Sequence, residues 1–242
     1  IIDYFNGKDK GEIITGTIGS DRLDYLTRDA HYTGVAYGVI DYQNIRDKFT
    51  LYKSEPAIYE QGSISAENLL IARYSMFSSV YYHHTSVIAQ DMYENTIDAA
   101  IRSGKMDPQE LKHLNDWQML SRLTNIKESK ELAMCLIERK LFKRAYFEYV
   151  QKPPGIEEIR NAVEKTGLNK WEYTAAYIKI KLSDNKELNV VDRNGKLLGK
   201  LSDISPLVKT LTSTLGARQR LLVSCDKKNI PKVAAAVKKI TG

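Results

Sequence analysis

The sequence holds only two cysteines in 242 residues, too few for a disulfide framework. Cys135 in the run AMCLI and Cys225 at the end of LLVSC sit among apolar neighbours, where small buried thiols are common. Reduced thiols, and with them a cytoplasmic setting, are the expectation. Long apolar runs are missing too: none approaches the roughly 18 residues of a membrane helix, so a soluble chain with no membrane partner is expected. The opening IIDYFNGKDKGE turns polar too early for a secretory leader, and it starts with Ile1 rather than Met. A portion of a longer protein is the preferred reading of that start. P-loop, GxGxxG, GxSxG, HExxH and CxxC patterns are all absent, which removes the common ATPase, dinucleotide, hydrolase-triad and zinc classes.

What is present is ordinary globular composition, with 43% hydrophobic and 27% charged residues, which excludes disorder. The 36 Lys and Arg outnumber 30 Asp and Glu, giving a formal +6. That charge is uneven: residues 1–150 carry 18 basic against 21 acidic side chains, and residues 151–242 carry 18 against 9. Such asymmetry suggests two regions with different partners.

The patterning predicts a mainly helical part over 1–152 and a smaller, basic α+β lobe over 153–242. Within the first, IITGTIG reads as a short β-like piece, followed by a helix over 21–33 that Gly34 can end. Residues 38–66 read as a helical turn followed by one or two strands or an irregular hairpin. Helical spacing of Leu69, Leu70, Ala72, Met76, Val80, Val87, Ile88, Met92, Ile97 and Ile101 predicts one long helix over 65–103. Helices over 107–123 and 128–139 follow. Beyond Pro153-Pro154-Gly155 come a helix at 156–166 and strands at 173–182 and 187–191. A hairpin turn at Asp192-Arg193-Asn194-Gly195, a helix at 204–214, a strand at 220–225 and a helix at 231–240 complete the lobe.

On the helix at 21–33, Leu23, Leu26 and Ala30 share one side. Asp21, Asp24, Tyr25 and Arg28 face the other, with Asp29 and Arg22 slightly rotated. Solvation is the ordinary fate of such a face. Grouped carboxylates can also bind a hard cation, and Arg and Tyr suit a phosphate and a sugar.

The run GSDRLDYLTRDAHYTGVAYGVID, residues 19–41, resembles the signature that follows the metal-binding core of HD-domain phosphohydrolases. It is most similar to the deoxynucleoside triphosphate triphosphohydrolase branch, which includes the SAM-and-HD-domain dNTPases and bacterial dGTPases. Asp21, Arg22, Asp24, Tyr25, Arg28, Asp29 and Gly34 fall in register with that pattern, and weaker similarity extends over 65–103. The resemblance implies that Asp21 is the last ligand of a divalent metal set and that Arg22 contacts phosphates. It implies that Tyr25 and Asp29 hold the deoxyribose, Asp29 accepting from the 3′-hydroxyl. Arg73 would grip phosphate and Tyr81 would pack against the sugar. Phe77 stands where the family often has His and reads as a plain core aromatic. His31, beside the motif, is the weak candidate for a catalytic role.

One departure is large. The family's metal set is H…HD…D, yet the chain has no HD dipeptide, and none of His31, His83, His84 and His113 precedes Asp21. A single carboxylate does not make a catalytic metal site. The remaining ligands are expected upstream. Adjacent helical residues such as His83 and His84 point about 100° apart and cannot chelate one ion.

The implied activity is conversion of a deoxynucleoside triphosphate and water to deoxynucleoside and triphosphate by the full-length protein, working as a homo-oligomer. A catalytically silent HD-like scaffold, or an HD phosphohydrolase of another phosphoester, are the alternatives. The basic lobe, with Lys179, Lys181, Arg193, Lys196, Lys200, Arg218, Arg220, Lys227, Lys228, Lys232, Lys238 and Lys239, is the candidate surface for nucleic acid or a regulatory nucleotide. Trp171, Tyr173 and Tyr177 are the aromatics there that could stack bases.

Overall fold

The computed structural model describes residues 11–180, 187–215 and 219–242, with the side chains of 214 and 215 excepted. Its elements, in chain order, are α1 (Ser20–Thr33), α2 (Tyr42–Lys48), β1 (Phe49–Tyr52), β2 (Glu55–Tyr59), α3 (Ser63–Met76), α4 (His84–Arg102), α5 (Asp116–Thr124), α6 (Lys127–Ile137), β3 (Lys143–Val150), α7 (Ile156–Glu164), β4 (Tyr173–Ile178), β5 (Asn189–Val191), β6 (Leu197–Lys200), α8 (Pro206–Leu215), β7 (Gln219–Cys225) and α9 (Ile230–Thr241). The expected class holds: a mainly helical chain with a smaller sheet-containing part.

Two compact units emerge, each built from two chain segments: residues 1–81 with 179–218, and residues 82–178 with 219–242. The sequence division at 152/153 runs through the second unit. The cause is strand pairing across it, because β7 lies between β3 and β4. The charge asymmetry is redistributed as well: the first unit has 16 basic and 15 acidic residues, the second 20 and 15.

In the first unit, β1 and β2 form an antiparallel hairpin through Lys53 and Ser54, both at positive φ. β5 then adds to β2 in parallel, pairing Ile58 with Val190, and β6 closes the sheet antiparallel to β5. The run Leu188–Val191 is buried throughout, which explains why a strand so late in the chain joins an early hairpin. Leu26, Ile45, Ile58, Leu69, Met76 and Leu201 fill the core beneath α1 and α3. Close approach at Gly38 seats a short 3₁₀ turn on α1: a Cβ there would lie 2.4 Å from the Ala30 Cβ.

The second unit stacks α7 and α9 on one face of the β3–β7–β4 sheet, around Tyr146, Ile159, Leu221, Val223 and Val233. Ile88 and Met92 of α4 meet Leu222 and Ile178 on the other face. β7 is therefore buried on both sides, and Cys225 with it, while Cys135 on α6 is half-buried; both thiols are free.

Several local expectations are corrected. Residues 12–15 form a single helical turn, closed by the Gly16 N–H donating to the Glu12 carbonyl at 2.8 Å, where a β-like piece was expected. The long helix over 65–103 breaks: a π-turn covers Phe77–Tyr81 and His83 leaves the helix, its ring accepting from the Thr85 N–H at 3.4 Å. The run FSSVYYHHTS has weak helix formers throughout, so nothing local holds that stretch straight. Residues 107–123 divide likewise into a 3₁₀ turn, Pro108–Lys112, and α5, each opened by its own capping box. The strand expected over 173–182 ends at Ile178, and its last two residues lie outside the described set.

Candidate functional site

α1 presents two faces. Leu26 and Ala30 enter the core, and Gly34, in the left-handed region at φ 71°, ends the helix. Arg22 is also buried, at 4% exposure, while Asp21 is half-buried and its Oδ1 accepts from the Arg22 N–H at 2.6 Å. One helical turn on, Arg28 and Asp24 pair in the open at 2.7 Å. Tyr25 and Asp29, four residues apart, share the half-buried margin of the helix.

α3 and its π-turn bring the other candidates to that margin. Arg73, 7% exposed, holds its guanidinium 5.4 Å over the Phe77 ring. Phe77 meets Tyr81 edge-on at 5.0 Å, and Tyr81 meets Tyr25 edge-on at 6.2 Å. The Tyr81 hydroxyl donates to Asp29 Oδ2 at 2.7 Å. Burial raises the Tyr81 pKa first, the Asp29 hydrogen bond and charge raise it further, and the phenol stays a proton donor.

Tyr25, Asp29, Arg73 and Tyr81 thus form one contact chain, with Phe77 as its middle link. The sequence reading left Phe77 in the core; its i, i+4 spacing to both Arg73 and Tyr81 was the available signal. Arg22 and Asp21 begin the same helix. His31 does not join: it is exposed, about 200° around the helix from Asp29, and its ring contact among the described residues is with the neighbouring Tyr32, at 5.2 Å.

Among the described residues no group of three or more His, Cys, Asp or Glu could hold a metal ion. Asp21 alone does not fit a divalent centre, and no catalytic step follows from it. In the second unit, the His83 and His84 rings lie tilted at 4.3 Å, with His83 spent on capping α4.

The basic residues fall in both units. Arg193, Lys196 and Lys200 lie on or beside the β5–β6 hairpin, whereas Arg220, Lys227, Lys228, Lys232, Lys238 and Lys239 belong to the second unit; Lys179 is exposed, and Lys181 and Arg218 lie outside the described residues. The three aromatics of the basic lobe each hold a hydrogen bond through their polar atom. Trp171 donates to Asp98 Oδ2 at 3.1 Å, Tyr173 is buried with its hydroxyl on Glu164, and Tyr177 donates to the Pro154 carbonyl.

Comparison with known proteins agrees with this architecture. The chain superimposes on a hypothetical protein from Aquifex aeolicus with a TM-score of 0.77 at 24% identity, over 98% of this chain and 63% of that one. A phosphohydrolase from Bacteroides thetaiotaomicron gives 0.69 at 22% identity, over 93% and 66%. These likenesses define the class by fold, a mainly helical part with a smaller α+β part. Residues 40–242 match the HD associated region family, and the chain belongs to it. An uncharacterized protein of Methanocaldococcus jannaschii is 37% identical over 128 residues, and one of Bacillus subtilis is 26% identical over 189. The chain spans 28% and 43% of those two relatives. No helix of the described residues is long and apolar enough to cross a membrane.

Proposed function

We propose that the full-length protein is an HD-family phosphohydrolase acting on deoxynucleoside triphosphates, and that this chain supplies the half of the site that binds sugar and phosphate. The observation that carries this is the Tyr81–Asp29 hydrogen bond inside the chain of contacts from Arg73 to Tyr25. Asp29 uses Oδ2 for Tyr81, and Oδ1 takes no hydrogen bond among the described residues, so a sugar hydroxyl can donate to it. The Tyr25 and Tyr81 rings offer apolar edges to the sugar. Arg73 and Arg22 counter the charge of the polyphosphate, which grows as the bond between the 5′-oxygen and the α-phosphorus breaks. Water enters that bond, so the products are a deoxynucleoside and triphosphate. Cleavage in this family calls for a divalent metal; Asp21 would be one ligand, and the others are assigned to the part of the full-length protein that this chain does not span.

The Bacteroides structure that shares this fold is called a phosphohydrolase, which supports the reaction class. The test is turnover by full-length protein with a divalent metal, comparing deoxynucleoside triphosphates, ribonucleoside triphosphates and simple phosphoesters. Preference for the first, lost in Asp29→Ala, supports the reading. Turnover of another phosphoester alone, or of nothing at all, overturns it in favour of a different hydrolase or a silent scaffold.

A further inference from the structure

The adjacent pair His83 and His84 is unsuited to chelation, but each ring stands where a proton changes the local structure. His83 is the N-cap of α4. Its Nδ1 accepts from the Thr85 N–H at 3.4 Å, and its carbonyl accepts from the Ser86 and Val87 N–H groups at 2.9 and 3.1 Å. A ring nitrogen accepts only through the lone pair of a neutral imidazole, because an imidazolium has two donors and no acceptor. The commoner caps, Asn, Asp, Ser and Thr, keep their acceptor down to about pH 4 or below. The rest of the first turn gives this cap little support. His84, Thr85, Ser86 and Val87 are weak helix formers, and no acidic residue in that turn complements the positive end of the helix.

The His84 ring is half-buried, 4.3 Å from the His83 ring and 5.9 Å from Phe147 of β3. It lines a cavity of about 660 Å³ together with Arg139, Lys143 and Arg144, and no carboxylate is among the lining residues. Arg144 and, from β7, Arg220 lie 5.8 and 4.6 Å over the Phe147 ring. Glu138, next to Arg139 in the chain, is paired with Lys140 at 2.6 Å. The charged groups around His84 are therefore cations. Burial first, then Arg144, then His83 hold its imidazole below the ordinary range.

We propose that the His83–His84 pair makes the start of α4 a pH-sensitive cap: as neutral imidazoles the two rings let the first turn close, and as imidazolium either one releases it. On His83 the proton removes the acceptor itself. On His84 it sets a charge against the helix N-terminus, the His83 ring and the cations of the cavity. A base whose folded pKa lies below its unfolded value binds fewer protons when folded. The stability His84 contributes is therefore whole above about pH 6.5 and is lost as pH falls towards about 5. The opening stays local, because Ile88 and Met92, buried one and two turns further on, hold the rest of α4 in the core. The inference concerns the second unit alone and does not depend on the proposed activity.

The test is amide hydrogen exchange of full-length protein at about pH 7.5 and about pH 5, read as protection relative to the free-chain rate at each pH. Protection of Thr85, Ser86 and Val87 should fall ~10-fold at the lower pH, the change expected for one lost N-cap. Amides from Met92 to Thr96 should keep theirs. His83→Asn supplies a cap acceptor that no proton removes in this range, and His84→Gln removes the second titrating ring. His83 is exposed and Asn is a favoured cap, so the double variant should fold and show no drop in protection. Absent or pH-independent protection of the first turn in the wild type overturns the proposal. So does an equal loss along the whole of α4, or a drop that persists in the double variant.

Discussion

Tyr81 donates a 2.7 Å hydrogen bond to Asp29, tying the π-turn that follows α3 to the middle of α1. Removing only the hydroxyl separates this bond from the ring packing around it. Tyr81→Phe keeps both edge contacts and should cost about 1 kcal/mol. Tyr81→Ala loses the ring as well and should cost about 3 kcal/mol. Calorimetric melting of the two variants checks this; equal losses would show that the hydroxyl contributes nothing.

Phe77 holds Arg73 on its face and Tyr81 on its edge. Phe77→Leu keeps an apolar side chain but loses both ring interactions, and should destabilise by about 1–2 kcal/mol. In the proposed enzyme, a loosened Arg73 should raise KM for the triphosphate ~10-fold, more than it lowers kcat. Phe77→Tyr, which retains the ring, should recover most of the loss. An unmoved KM in Phe77→Leu would confine Phe77 to packing.

The candidate site was legible in the sequence because one helix carries most of it. Asp21, Arg22, Tyr25 and Asp29 are fixed relative to each other by helical periodicity alone, and Arg73, Phe77 and Tyr81 follow by fours from the end of α3 through its π-turn. His31 is close to Asp29 in sequence but about 200° away around the helix, so closeness in sequence alone does not bring it to that face. Fold organisation was less legible. Val190 and Val191 read as a strand of the C-terminal lobe, but the partner of that strand is Ile58, more than a hundred residues earlier. No local signal encodes such pairing. The break after Tyr81 was missed because apolar spacing continues across it, and only the weak helix formers of FSSVYYHHTS mark it.

Asp98 gathers three donors, Lys170 at 2.6 Å, Arg102 at 2.7 Å and Trp171 at 3.1 Å. Burial alone would raise its carboxyl, but the donors together outweigh that and hold it at about 2. Its folded pKa lies below the ordinary value, so its stabilisation is present at neutral pH and is lost as pH falls from about 4 towards 2. Asp98→Ala should cost about 1 kcal/mol after solvent screening and red-shift the Trp171 emission in a Trp117→Phe background. Unchanged emission would show that the indole is held by packing alone.

Asp91 on α4 shows the opposite sign. Its Oδ2 is buried with no hydrogen bond among the described residues, and Glu94 stands nearby on the same helix. Arg160 of α7 opposes both effects weakly, since it is already paired with Glu157 at 2.7 Å. Burial, then Glu94, raise the carboxyl to about 6. With the folded pKa above the unfolded one, the folded state binds the extra proton. Stability from this group is therefore full below about pH 4 and lost as pH rises through about 6. Asp91→Asn keeps the shape without the charge. It should stabilise the protein by about 1 kcal/mol at neutral pH, after allowance for partial exposure, and leave it unchanged near pH 4. Melting temperatures of both proteins across that range decide the point: parallel curves would mean that the Asp91 charge is hydrated and costs nothing.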